Sequence, residues 1–496
     1  MIRKVFILLC TICFAIGANA QRTNWEKLLY DLNSDARSNG LEMSVNLIRP
    51  GDLAKRLTPY DCERLGYLRI SGGLGKKDLI LLTELAKRTR TMNRQGKMVP
   101  ARIDIDMQNA YIINENARPF SNDEREITAL PDIFRNCEGL RSVILPNNLT
   151  VIDRKAFYGC KNLEYVYIPD YVYSIEESAF DGCTRLYNVD INNRIEYIGK
   201  FAFNGCRDLE KFVLPAKIKQ IDNRAFSGTG IKQITLPEGL EILGDNVFGY
   251  TDMPEINIPA SVNTMSGATF FSSNIKNIFV NPSNRNFSDI SGVLYSKDKK
   301  TLLYYPGKRS FAYTIPAGTA AIGAGAFMYS TAPEVIIPAC CTEIGEKAFY
   351  SSQITRIVLP EGMTIIHKNA FEECAALRSV QLPATLQTIS DEAFRGCKAL
   401  SNVSIPNSVT HIGQEAFRAC FAFTEIVIPA SVKTIGEKAF YYCKNAGRIV
   451  MQGSMPPAAK KPTNYEKKVR LAVPSESVAA YKSAAGWSDI RHIIAQ

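Results

Sequence analysis

The chain is poor in the residues on which most enzyme chemistry depends. Its 496 residues hold three histidines, His367, His411 and His492, and two tryptophans. Neither His-Glu-x-x-His nor Gly-x-Ser-x-Gly occurs, so the signatures of zinc peptidases and α/β-hydrolases are missing. Past the first twenty residues no Cys-x-x-Cys occurs, which leaves the cysteines without the spacing of a zinc site. Ser71-Gly72-Gly73-Leu74-Gly75-Lys76-Lys77 approaches a phosphate loop. It lacks a glycine five residues before Gly75 and a Ser or Thr after the lysine, so it reads as a strand-to-helix turn. Lys and Arg total 59 against 49 Asp and Glu, and the formal charge of +10 is mild for this length. That excess suits acidic glycans or anionic surfaces weakly, and no basic stripe with interleaved aromatics supports nucleic-acid binding. No apolar run beyond the start is long enough for a transmembrane helix.

The start itself reads as a secretory signal over residues 1–20. Arg3 and Lys4 precede the short apolar run Val5 to Ile16, and Ala18-Asn19-Ala20 fits a small-x-small cleavage site. Neither Cys10 nor Cys13 fits a lipoprotein motif. The expected product is exported and begins at Gln21, placing it outside the cell, on its surface or in a periplasm.

What the sequence has is a repeat. Ala-Phe-x-x-Cys returns every 22 or 23 residues, with phenylalanine at 134, 157, 180, 203, 226, 248 and 270, then at 327, 349, 371, 394, 417 and 440. Thirteen copies at one period mean stacked units. In the copy from Leu400 to Cys420, Val403 and Ile405 alternate with polar residues, the period of a strand with one buried face. Pro406 ends that strand, since proline cannot donate to a ladder. Val409 and Ile412 then turn inward, and Ala416-Phe417 forms a tight turn. One copy buries only about five or six side chains and leaves its apolar faces open above and below until neighbours stack on it. A single copy therefore cannot fold alone.

The slot three residues after each phenylalanine holds Cys137, Cys160, Cys183 and Cys206, then Thr229, Thr251, Ser273, Ser330 and Ser352, then Cys374, Cys397, Cys420 and Cys443. All are small and carry one S–H or O–H able to bond a carbonyl inside a turn. Where no inserted segment intervenes, copies with cysteine are followed 23 residues later by the next, and copies with a hydroxyl 22 later. Such exchange points to a structural slot, with disulfides between stacked copies the alternative an exported compartment permits.

Leu-x-x-Val-x-Ile-Pro-x-x-Val-x-x-Ile-Gly-x-x-Ala-Phe-x-x-Cys resembles the BspA-like leucine-rich repeat of bacterial surface and secreted proteins, over roughly residues 125–452. The expected fold is a leucine-rich-repeat solenoid, predominantly β with short turns and 3-10 segments. Residues 21–124 are expected to form a helical N-terminal cap with irregular first repeats. Within it Trp25 to Arg37 reads as a helix capped by Asn24, Tyr67 to Ile70 and Ile103 to Asp106 as strands, and Asp78 to Arg90 as a helix. Two arrays span 125–281 and 311–452. Between them 282–310 reads as a β-hairpin insertion, because Val293-Leu294-Tyr295 and Leu302-Leu303-Tyr304 flank a polar turn at Lys297-Asp298. A small C-terminal cap over 453–496 brings Trp487 over the last open core face.

The resemblance implies surface attachment or recognition of host or matrix molecules, and no catalytic residues or cofactor. The expected partner is an extracellular protein or glycan, bound by a monomer. The outward strand positions form two columns that vary while the core slots do not. Within them Tyr165, Tyr167 and Tyr187, with Ile144 beside them, form the candidate contact patch, since tyrosines give wide contact area and a polar tip. Cross-strand pairing that merely stabilises the sheet is the competing role for these rings. Each histidine reads as an exposed loop residue. The alternative function is a structural or spacer component of the envelope; an enzyme housed in residues 21–124 is the remaining reading.

Overall fold

Each copy closes one coil of chain, and two hydrogen-bonded turns do the closing. After the strand, the proline carbonyl accepts from the inward residue three positions on, as in Leu149 N to Pro146 O (3.2 Å) and Val172 N to Pro169 O (3.2 Å). At the second turn the cysteine N–H returns to the phenylalanine carbonyl, as in Cys160 N to Phe157 O (3.2 Å). Successive coils are tied at the same turn, with Phe157 N donating to Ala179 O (2.7 Å) and Phe180 N to Ala202 O (2.7 Å). The computed structural model describes residues 40–113, 126–401, 403–463 and 470–496. The expected signal segment and the Trp25–Arg37 helix lie outside them.

The Ala-Phe turn requires backbone that most residues avoid. The residue two after every one of the thirteen phenylalanines has positive φ, between 52° at Ser351 and 77° at Gly182. Five copies place glycine there, at Gly159, Gly182, Gly205, Gly228 and Gly396, where no Cβ opposes the left-handed region. The residue two before the phenylalanine is also left-handed in most copies, as at Lys155, Asn369 and Glu415. It is not so at Asp132 or Ala268, where 3-10 turns Asp132–Phe134 and Gly267–Phe270 replace it.

The chain divides into two units, Met1–Pro215 and Ala216–Gln496, each a predominantly β leucine-rich-repeat coil. In the first, a parallel sheet runs β1 (Leu41–Leu47), β2 (Leu65–Leu74), β3 (Ile103–Ile113), β4 (Leu140–Ile144), β5 (Tyr165–Tyr167) and β6 (Asn188–Asp190). Short helices α1 (Leu53–Arg56) and α2 (Pro59–Arg64) link β1 to β2, and α3 (Lys76–Lys87) links β2 to β3. These early crossovers are helices where later copies have tight turns. The start of α3 is closed by its own Asp78, buried, whose carboxylate accepts from Gly75, Gly51 and Leu53 N–H. The glycine-rich turn before it is thus occupied by a protein carboxylate. Four stacked rings, Phe134, Phe157, Phe180 and Phe203, run through the core with centroids 5.3, 5.1 and 5.1 Å apart.

In the second unit the rings from Phe327 to Phe440 stack at 4.9 to 5.6 Å and within 9° of parallel. Between Phe270 and Phe327 lie three antiparallel strands, β7 (Phe287–Ile290), β8 (Val293–Ser296) and β9 (Thr301–Tyr304). β9 then pairs parallel with Ala321–Ile322, re-entering the repeat. Two tyrosines at its end take the place of the missing ring. Tyr304 packs on Phe270 (5.7 Å) and donates to its carbonyl (3.0 Å), and Tyr305 stacks on Phe327 at 4.8 Å. The unit ends in β10 (Glu425–Ile428), β11 (Arg448–Met451), β12 (Arg470–Val473) and β13 (His492–Ala495), all parallel, with helix α4 (Val478–Ser483) before the last. Trp487 is buried in that core and donates to Pro457 O (2.8 Å), as Tyr481 does to Gly453 O (3.0 Å).

The cysteine slot explains the two repeat lengths. Past Cys137, whose thiol faces Thr83 O at 3.9 Å, the slot thiols reach back one coil to a phenylalanine carbonyl: Cys183 to Phe157 O (3.1 Å), Cys206 to Phe180 O (3.2 Å), Cys397 to Phe371 O (3.2 Å), Cys443 to Phe417 O (3.2 Å). The shorter hydroxyls of Thr229, Thr251 and Ser273 instead bond the phenylalanine carbonyl of their own coil at 2.7 to 2.9 Å. In thiol copies two residues separate the slot from the next inward residue, as in Cys160-Lys161-Asn162-Leu163, and in hydroxyl copies one, as in Thr229-Gly230-Ile231. The cysteines among the described residues are free thiols. Burial pushes those of Cys183, Cys206 and Cys397 up, which keeps them protonated and poorly nucleophilic.

Ala419 occupies a left-handed slot at φ 62° that glycine fills elsewhere. Ala419→Gly is therefore expected to stabilise the protein by about 0.5–1 kcal/mol, read as a higher denaturant midpoint with unchanged slope. A lower midpoint would show that the Ala419 methyl contributes more than the strain it costs.

Candidate functional site

Parallel register brings outward side chains into rows across the sheets. In the first unit one row runs Glu42, Tyr67, Asp104, Ser142, Tyr165 and Asn188, and the next Ser44, Arg69, Asp106, Ile144, Tyr167 and Asp190. The two outward columns that hold Tyr165 and Tyr167 thus extend back through Ser142 and Ile144 to β3, β2 and β1. The signal for β3 was the alternation Ile103-Asp104-Ile105-Asp106; β1 carries no repeat motif and was not anticipated.

This outer face is largely closed by its own charges. Arg141 and Asp104, both buried, form an ion pair; the Arg141 Nε donates to Asp104 at 2.9 Å and Ser142 Oγ donates to the same carboxylate at 2.6 Å. Asp106, also buried, accepts from Tyr67 OH (3.0 Å) and Arg69 Nε (2.9 Å). Burial first and Asp106 second push the Tyr67 phenol up to about 12. Glu164 holds Arg102 at 2.5 Å and faces Arg185 at 3.9 Å.

The anticipated patch is brought together, but half of it is inside. Ile144 pairs with Tyr167, and Ser142 with Tyr165, in one register. Tyr165 is 1% exposed and Ile144 6%, Tyr167 is half-buried and Tyr187 is 40% exposed. Of the four candidate contact residues, Tyr167 and Tyr187 are accessible, and Tyr165 and Ile144 are buried on the same face. The Tyr165 hydroxyl has no hydrogen-bond partner among the described residues, and burial raises its phenol pKa, with Asp190 adding to the effect. Asp190 lies in the same row as Tyr167. Burial and the nearby Asp170 hold its carboxyl above the usual range.

The second unit presents the opposite condition. Gln233, Thr235, Glu255, Asn257, Arg356, Val358, Ser379, Gln381, Glu425, Val427 and Arg448 are exposed, while their inward neighbours Ile256, Ile278, Ile357, Val380, Ile426 and Ile449 are buried. At its C-terminal end the rows are chemically sorted. Glu425, Arg448, Arg470 and His492 form one, and Val427, Val450, Ala472 and Ile494 the other. Arg448 faces Glu425 at 3.6 Å.

The histidines are not all loop residues. His411 is half-buried in the strand His411–Ile412 with Nδ1 against Thr434 Oγ1, and His492 opens the last strand on its outer face. Among the described residues no group of three or more His, Cys, Asp or Glu could hold a metal, and no helix is long and apolar enough to cross a membrane.

A family model described as BspA type leucine rich repeat region (6 copies) matches residues 130–229, 186–291 and 314–452. Among solved structures, a leucine rich cell surface protein from Faecalibacterium prausnitzii A2-165 is similar at 25% identity and TM-score 0.49, over 74% of this chain and 86% of that one. A leucine-rich repeat protein from Bacteroides ovatus ATCC 8483 is similar at 21% identity and TM-score 0.45, over 72% and 92%. The pneumococcal vaccine antigen PcpA is similar at 19% identity and TM-score 0.43, over 88% and 90%. No curated protein matches the chain.

Two outcomes test the closed face. Arg141→Ala strands Asp104 in a buried site and is expected to cost about 3–5 kcal/mol, measured by chemical unfolding; a loss under about 1 kcal/mol would mean the pair is solvated. Asp190 has a raised carboxyl in the folded state, so its contribution is full below the unfolded carboxyl pKa and is lost as pH rises through the folded one. Asp190→Asn should therefore raise the thermal midpoint at pH 7 and leave it unchanged near pH 3. An equal shift at both would remove the burial argument.

Proposed function

The chain belongs to the BspA-type leucine-rich repeat family, and from that premise we propose that it is a non-enzymatic exported protein of the cell surface that recognises a host or matrix protein or glycan. One observation carries this reading. In the second unit the inward slots hold nearly the same apolar residues coil after coil, while the outward slots in the same strands are exposed and differ in charge, size and polarity. Stability needs only the first set, so the second is free to specify a ligand. A preformed sheet orders little on binding, and many modest contacts along it add up.

In the first unit Tyr167 and Tyr187 are the accessible part of the tyrosine patch, with the buried Tyr165 and Ile144 on the same face beside Tyr167. The cell-surface reading also accords with the secretory pattern of residues 1–20.

Residues 21–496 probed against an array of matrix proteins and glycans are expected to give a saturable ligand. Arg356→Gln with Arg448→Gln should weaken it while lowering stability by no more than about 1–2 kcal/mol, the loss of two exposed ion pairs. An array with no ligand would favour a spacer role in the envelope. Should the ligand map to the first unit, Tyr167→Ser with Tyr187→Ser is expected to weaken it about tenfold or more. By contrast, Tyr165→Ser should act on stability, at about 3 kcal/mol. Affinity unchanged in the double variant would remove the patch.

A further inference from the structure

A second surface of the C-terminal unit lies at the Ala-Phe turns, away from the strand rows. A cleft of about 440 Å³ opens there, lined by Met328, Tyr329, Lys347, Tyr350, Lys368, Asn369, Glu372 and Glu392. That volume is within the range of small-molecule sites. Its wall is aromatic: Tyr329, 46% exposed, meets half-buried Tyr350 edge-on, with ring centroids 5.7 Å apart and planes at 89°. Tyr250, at 72% the most exposed of the tyrosines named here, lies near enough to act on the Tyr329 phenol.

The backbone gives an independent reason to ask what Tyr329 does. It occupies the slot two after the phenylalanine, at φ 58°, where five other copies carry glycine. A bulky side chain in left-handed backbone is a costly choice that the turn does not need. Lys347, at φ 55° in the next coil, stands two before Phe349, a slot that is left-handed in most copies. Two strained positions project an aromatic ring and a cation into one cleft.

The charges of the cleft are unevenly satisfied. The acids at its base are already engaged: Glu372 accepts from Asn369 Nδ2 (2.7 Å) and pairs with Arg395 (3.2 Å), which also holds Glu392 (2.5 Å). The lysines are not. Lys347 and Lys368 are exposed, and neither has an ion-pair partner among the described residues. A ligand for this site needs a flat or apolar face for Tyr329 and anionic groups for two lysines.

We propose that the cleft of Tyr329, Tyr350, Lys347 and Lys368 binds an acidic oligosaccharide, a hexuronate chain whose ring face packs on Tyr329 and whose carboxylates meet the two lysines. A sugar ring offers an apolar C–H face and peripheral hydroxyls that the phenol tips and Asn369 can reach. Most acidic peptide side chains bring the charge without the ring face. The site stands apart from the sheet face, so it holds or fails independently of the recognition role proposed above.

Titration calorimetry of the purified chain against a galacturonate hexamer, a hyaluronan hexasaccharide, the methyl-esterified galacturonate hexamer and hexaglutamate decides the matter. Binding of at least one acidic sugar is expected, weakening as salt screens the charges. The ester and hexaglutamate should each bind about tenfold or more weakly. Tyr329→Gly should abolish the binding while keeping or raising the thermal midpoint, since glycine suits the slot. Lys347→Gln with Lys368→Gln should abolish it at unchanged stability, and Arg356 and Arg448 charge reversals should leave it intact. Absence of binding to both acidic sugars, equal binding of the ester or of hexaglutamate, or undiminished binding by Tyr329→Gly would each overturn the proposal.

Discussion

The phenylalanine carbonyl at the Ala-Phe turn is the constraint on which the fold rests. It accepts from the N–H three residues on and, in the thiol copies, from the side chain of the following coil. One acceptor thus closes its own turn and fixes the next coil above it. The rings stack because that geometry repeats, and the stacked rings bury the area that pays for ordering each coil. Left-handed backbone on either side of the Ala-Phe pair is what aims the carbonyl correctly, and glycine relieves its cost in only six copies, Gly325 on the near side and five on the far side.

Much of this was legible in the sequence, for physical reasons. A period of 22 or 23 residues with phenylalanine, proline and apolar pairs at fixed offsets admits few folds, and Val403 or Ile405 alternating with polar residues marks strand faces directly. The link between slot chemistry and repeat length was also visible, but not its cause. That Cys183 bonds the preceding coil while Thr229 bonds its own depends on the reach of a side chain. The left-handed slots left only a faint trace, the glycines at 159, 182, 205, 228 and 396. Tyr305 stands 22 residues before Phe327 and makes the inter-coil bond of a phenylalanine slot, Tyr305 N to Ala326 O, but Tyr304-Tyr305 lacks the Ala-Phe motif and so gave no sign that it would supply the missing ring.

The candidate surface was less legible than the scaffold. Sequence assigns Tyr165 and Ile144 to outward positions, and register agrees, yet outward is not the same as exposed. Arg141 sits at an irregular point in the β3–β4 register and reaches Asp104, and that pair with Asp106, Tyr67 and Arg69 fills the face. No one-dimensional pattern announces a buried ion pair between residues 37 positions apart. Among the described residues of the second unit the outer-row ion pairs, Arg356–Glu334 and Arg448–Glu425, are exposed rather than buried, so the variable residues around them remain open to solvent.

Among the described residues the last strand, β13, pairs with β12 alone, and the Gln496 side-chain amide donates to the Met451 and Ala472 carbonyls. A load applied at the C-terminus therefore falls first on that clasp and the few ladder bonds beside it. Once they part, the next coil becomes the end and bears the load in turn. Each coil freed adds about 75 Å of extended chain, so tugging would dissipate work in successive small releases rather than one rupture.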